Sequence, residues 1–98
     1  GDLQLQKEFQ ALQEFLALLA SGKPVAYGQE DVGNAVGCGA VRHLLVADSL
    51  VRETNTGELM LAAERQKAQI TIFSTEFDPG KQLLGLGGIA AILRFAIR

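Results

Sequence analysis

Four helix-period segments alternate with four short apolar runs along 98 residues, and that alternation predicts an α/β fold. The expected architecture is three layers, α/β/α, with a mixed sheet at the centre. Composition agrees with it. Hydrophobic residues make up 48% of the chain and charged ones 20%, a balance that suits a packed core and not a disordered polymer. The breaks between segments carry Gly, Pro, Asp and Asn, which end helices and strands for reasons of backbone geometry.

Leu5, Phe9, Leu12, Leu16 and Leu19 recur at alternating spacings of four and three. This puts one apolar stripe on a first helix, expected to face the core, with Gln4, Lys7, Glu8, Gln13 and Glu14 on other faces. Asp2 is placed to cap the start, and Gly22 with Pro24 ends it. Val25-Ala26-Tyr27 reads as a short strand. Gly28 turns the chain into a second helix, Gln29 to Cys38, with Val32, Ala35 and Val36 inward. Gly33 and Gly37 weaken that helix by about 1 kcal/mol each relative to Ala, and are expected to admit a close neighbouring strand. Gly39 is a natural left-handed stop. Val41 to Ala47 is the clearest buried strand, closed by Asp48.

Asn55 and Glu58 resemble a capping box that opens a third helix running to Lys67, with Leu59, Ala62 and Ala63 inward. Ile70 to Ser74 is the next strand. Asp78 before Pro79 makes a good cap and first turn for a short fourth helix. Gln82, Leu83 and Leu84 continue it until Gly85, Gly87 and Gly88 break it. Ile89 to Phe95 reads as a final buried strand with Arg94 as its one charge.

The length suits a single domain, residues 1–98, with no repeat and no internal linker. A net charge of −2 offers no global basic field for nucleic acid. One cysteine, Cys38, excludes an internal disulfide. The longest uncharged apolar run, Gln82 to Leu93, falls short of the roughly 20 residues that span a bilayer. No signal peptide is evident, so the expected compartment is the cytoplasm. The chain opens Gly-Asp and not with Met, as expected of a piece of a longer protein, with Gly1 as a possible cloning scar.

Chemistry-bearing patterns are few. Gly85-Leu86-Gly87-Gly88-Ile89-Ala90 fits a dinucleotide fingerprint in letters only; it follows a helix and opens a strand, the reverse of the required context. Gly80-Lys81 lacks the upstream glycine and following Ser or Thr of a phosphate loop. A single histidine, His43, and a single cysteine cannot build a soft-ligand metal cage. His43 is expected to be a half-exposed strand residue, and Cys38 a small filler at a helix end. Glu76 and Asp78 flank a turn, and capping accounts for Asp78. No catalytic constellation is assembled, so the chain is not expected to be an enzyme and needs no cofactor.

The end of the chain carries a family resemblance. Ser74-Thr75-Glu76, Gly80, Gln82-Leu83, and then Gly85 to Phe95 resemble the C-terminal domain of the Pelota family, ribosome-rescue relatives of the class-1 release factor. Ala26-Tyr27-Gly28, Glu30, Val32, Gly39-Ala40-Val41, Leu44-Leu45-Val46, Asp48-Ser49-Leu50 and Ile72-Phe73 extend the likeness to about residues 10–97. Ala96 stands where that family usually has Pro. The release-factor version carries an inserted minidomain between the later strands. Here a short connection joins Phe73 to Ile89, which favours Pelota.

The resemblance implies the fold shared with kink-turn-binding ribosomal proteins. Those proteins use Gly-x-Asn-Glu-x-x-Lys at the start of the second helix. Here the matching positions are Gly28, Glu30, Asp31 and Asn34. Two adjacent acids and a lost lysine turn that edge away from a phosphate backbone, so sequence-specific RNA binding is not expected. The resemblance further implies a non-catalytic adaptor, acting with the ribosome, an elongation-factor-1-alpha-type translational GTPase and an ABC-class recycling ATPase. Alternatives are the release-factor domain in termination, or an RNA-binding protein on the same fold. Arg42, Arg52, Arg94 and Arg98 lie outside the long helices and suit interfaces, because the planar guanidinium pairs bidentately and its stem packs. The candidate partner contacts are Arg42, Asp48, Glu76, Arg94 and Phe95, the last four lying in the stretches that carry the resemblance.

Overall fold

The computed structural model describes residues 2–97, so Gly1 and Arg98 lie outside the described residues. In chain order the elements are α1 (Asp2–Ala20), β1 (Val25–Tyr27), α2 (Gln29–Gly37), β2 (Val41–Ala47), a 3-10 turn (Asp48–Leu50), α3 (Thr54–Arg65), β3 (Gln69–Phe73), α4 (Asp78–Gly85) and β4 (Ile89–Leu93). The sheet order is β1-β4-β2-β3. β2 and β3 run parallel, with Leu44 opposite Ile70, while β4 is antiparallel to β1 and β2. The expected mixed sheet and α/β class hold.

Both faces of the sheet are covered. Leu44 and Val46 of β2, with Ile89 and Ala91 of β4, pack under α2 and α3 against Val32, Val36 and Ala63. Leu45, Ala47, Ala90 and Ile92 face the other way, toward Leu12 and Phe15 of α1 and Leu83 of α4. Burial on two sides explains why β2 and β4 read as continuous apolar runs. Each large side chain so buried contributes about 1.5–3 kcal/mol relative to exposure.

Several expectations need correction. On α1 the buried positions are Glu8, Ala11, Leu12 and Phe15, whereas Phe9, Leu16 and Leu19 remain exposed. At 100° per residue the expected stripe forms the rim of the buried face and not its centre. α2 ends at Gly37, with Cys38 as its cap. No strand lies within 4 Å of an added Cβ at Gly33 or Gly37; Gly33 meets only Leu59 of α3, at 4.0 Å. α3 starts at Thr54 with Glu53 as N-cap and no side-chain cap bond, so Asn55 lies inside the helix and the capping box does not form. It ends at Arg65, two residues short, before Lys67 turns to φ 66°. β3 is shifted one residue toward the N-terminus. Phe77 caps α4, and Asp78 is its first helical residue with no cap bond of its own.

The final strand stops at Leu93. Arg94 N–H still bonds the Ala40 carbonyl at 2.7 Å, next to the Val41–Leu93 pair, and Arg94 and Phe95 lie beyond the strand in a bend. Gly87 and Gly88, at φ 101° and 82°, turn α4 into β4. Gly87 also passes Gly28 closely: an added Cβ would sit 3.3 Å from its Cα. The glycine run is a turn, as its helix-to-strand context required.

Candidate functional site

The strand directions define two ends of the molecule. β2 and β3 both finish at one end, where Asp48 and the Ser74–Phe77 turn lie. Gly28 N–H bonds the Ile89 carbonyl there, so α2 also starts at that end. β2 begins at the opposite end, beside Leu93 and Arg94. Seven residues of β2 separate the two, about 20 Å at strand rise.

The five candidate contacts divide between these ends and form no single surface. Asp48 and Glu76 sit at the first end. The Asp48 carboxylate Oδ1 accepts the Thr75 hydroxyl at 2.8 Å and the Thr75 N–H at 3.3 Å. Ser74 Oγ accepts the Glu76 N–H at 3.3 Å, which folds the turn and leaves the Glu76 carboxylate exposed. Arg42, Arg94 and Phe95 sit at the other end. Arg42 is the extra residue at an irregularity in the β2–β4 register between Val41 and His43. A bulge re-aims the side chain. The Arg42 guanidinium therefore leaves the buried strand and pairs with Glu14 of α1 at 3.1 Å. Arg94 donates from Nε to the Val41 carbonyl at 3.1 Å and from Nη2 to the Gln66 carbonyl at 2.7 Å. Phe95 is half exposed.

Charge is unevenly distributed along the same axis. Glu30, Asp31, Asp48, Glu76 and Asp78 lie at the first end, together with Arg52 and Lys81; Arg42, Arg65, Lys67 and Arg94 lie at the second, together with Glu14 and Glu64. Helix dipoles account for much of this. Glu30 and Asp31 lie in the first turn of α2, Asp78 in the first turn of α4, and Arg65 in the last turn of α3. At the start of α2, Glu30, Asp31 and Asn34 are all exposed. Carboxylates on that edge repel a phosphate backbone.

The interior carries polar groups that sequence reasoning misplaced. Glu8 is 2% exposed; its carboxylate accepts the Ser74 N–H and the Gln4 side-chain amide, both at 3.1 Å. His43 is buried and not half exposed, with Nε2 and Thr71 Oγ1 2.8 Å apart. Burial, partly offset by Glu14, pushes its pKa below 6.5, with Arg42 lowering it further. Cys38 is exposed on the α2 side of the sheet, whereas His43 faces α1, so the two do not meet. Gln66 bonds the Val36 carbonyl and the Val41 N–H, tying the ends of α2 and α3 to β2. A lone Gln after a helix carries no sequence signal for such a role. Among the described residues no three His, Cys, Asp or Glu side chains converge as a metal site, and no helix is long and apolar enough to cross a membrane.

The layer holding α1 presents apolar side chains outward. Phe9, Leu16 and Leu19 of α1 are about two-fifths exposed. Tyr27 of β1 is exposed on the same side of the sheet, its ring edge-on to Phe15 of α1 with centroids 6.3 Å apart. Leu84 of α4 is exposed in the same layer.

This sheet order, with α1 and α4 on one face and α2 and α3 on the other, defines a three-layer α/β domain of the kind carried by Pelota and release-factor proteins. The chain belongs to the family described as eRF1 domain 3, whose profile matches residues 5–97. Its similarity is to the Pelota branch. It is 46% identical to a Pelota homologue of Methanospirillum hungatei over 97 residues, covering 99% of this chain and 28% of that protein. A ribosome-bound archaeal Pelota, described together with ABCE1, superposes with TM-score 0.92 at 31% identity, covering 99% of this chain and 28% of that one. Dom34 of S. cerevisiae, described as a translation termination-like factor interacting with Hbs1, gives 0.85 at 29% identity over 94% of this chain and 28% of its own. The chain thus spans under a third of the length of these three relatives.

Proposed function

We propose that this chain is the non-catalytic docking domain of a longer, cytoplasmic Pelota-type ribosome-rescue factor. The observation that carries the reading is likeness, over 99% of this chain, to part of a ribosome-bound Pelota described with ABCE1. Likeness to Dom34, described as interacting with Hbs1, points the same way. The partners are the ribosome, an elongation-factor-1-alpha-type GTPase and an ABC-class recycling ATPase. Nucleotides belong to those partners.

The physical features support protein docking over RNA reading. The α1 layer offers Phe9, Leu16, Leu19 and Tyr27 to solvent, the apolar and aromatic chemistry of interface centres. The α2 edge offers Glu30 and Asn34 where RNA readers of this fold place asparagine and lysine, and Asp31 keeps an acid beside them. A core closed on both faces makes the surface preformed, so docking spends little ordering entropy.

Calorimetric titration of the chain with the GTP-loaded GTPase, beside a kink-turn RNA, tests this. Heat from the GTPase and none from the RNA is expected. Tight RNA binding that weakens with salt would overturn it.

A further inference from the structure

We propose that the free edge of β3 receives an extended segment of a partner protein as a fifth strand, one alternating apolar and basic residues on the side facing α3. β3 is an outer strand of the sheet, so one side of its backbone has no strand partner. The Ile72 carbonyl accepts the Gln4 side-chain amide at 3.2 Å and the Ser74 N–H is held by Glu8, which identifies the outward set. Backbone groups alternate along a strand, so Ile70 turns its N–H and C=O outward with Ile72. Ile70 N–H, Ile70 C=O and Ile72 N–H are left for an incoming strand, and the Gln4 and Glu8 contacts set where pairing stops.

Side chains of an added strand would alternate between two grooves. On the α3 side lies a groove of about 560 Å³ floored by Met60, Ile70 and Ile72 and overhung by Leu61, which is 55% exposed. Its charged lining is Glu58 and Glu64, with no cation. On the α1 side the lining is Gln4, Lys7, Gln69 and Thr71 beside the same two isoleucines. An occupant therefore presents Val, Ile or Leu with Lys or Arg to α3, and polar or acidic residues to α1. A second copy of this chain fits poorly, because its own Glu58 and Glu64 would meet the acidic rim. This surface lies away from the exposed α1 side chains, and the inference stands whether or not a GTPase docks there.

The test uses the isotope-labelled chain and a panel of synthetic extended peptides with Ile or Val and Lys at alternate α3-facing positions and Ser or Thr between. Amide exchange should slow at Ile70 and Ile72, with shifts at the Met60 and Leu61 methyls. The Glu58→Lys, Glu64→Lys double variant should bind the basic peptides about fivefold more weakly and prefer peptides carrying Glu. Leu61→Asp, a surface change that leaves the fold intact, should weaken binding independently. No protection at Ile70 and Ile72 from any peptide would overturn the proposal. So would protection indifferent to charge reversal, or concentration-dependent protection of the chain alone, which would make the occupant a second copy.

Discussion

Glu8 and Ser74, 66 residues apart, are joined by a hydrogen bond from the Ser74 N–H to the buried Glu8 carboxylate at 3.1 Å. The bond fastens the first turns of α1 to the end of β3. Its removal leaves a partly buried N–H without that acceptor, which costs about 1 kcal/mol. Glu8→Ala should lose that much stability in urea denaturation. Glu8→Gln keeps an acceptor for Ser74 and should lose less.

Gly80 is fixed by packing. A Cβ there would lie 2.0 Å from the Ser74 carbonyl oxygen, and backbone cannot yield as a side chain does. Gly80→Ala should destabilise by about 3 kcal/mol or more, although Ala favours helix elsewhere. Thermal unfolding of this variant beside Gly85→Ala, where an added Cβ meets nothing within 4 Å, separates sterics from propensity.

Arg94 bonds two carbonyls, those of Val41 and Gln66, across the end of the sheet. Its partly solvated site reduces the value of those bonds. Arg94→Ala should cost about 1 kcal/mol in chemical denaturation. Arg94→Lys cannot reproduce the fork and should recover only part. Any partner-binding loss for Arg94→Ala must be read after correcting for this stability change.

His43 makes stability pH-dependent. Its folded pKa is lowered by burial, so the folded chain binds fewer protons there than the unfolded one. Its contribution is complete above pH 6.5, falls as pH drops below that value and levels off beneath the folded pKa. His43→Gln should flatten this step in denaturation midpoints measured across the range.

The eight main elements and their order were legible because periodicity and breakers report local structure. The α1 orientation was not. Its Leu5-Phe9-Leu12-Leu16 stripe is more apolar than the face that is buried, where Ala11, Leu12 and Phe15 pack on β2 and β4 and Glu8 bonds distant Ser74. His43 was misplaced for the same reason: its partner Thr71 comes from another strand. Asn55 and Asp78 have the composition of caps, yet the chain enters the helix at neighbouring residues, Glu53 and Phe77, without side-chain caps. The candidate contacts at Arg42 and Arg94 were visible as charges beside buried strands. That Arg42 meets Glu14 through a bulge, and that Arg94 bonds backbone, required the register of the sheet.

Amide hydrogen exchange of the chain, alone and with the GTP-loaded elongation-factor-1-alpha-type GTPase, tests the docking account most directly. New protection is expected in one layer, across Phe9 to Leu19 of α1, with β2 and β4 unchanged. No change at any amide, or large changes throughout the sheet, would contradict a preformed docking domain.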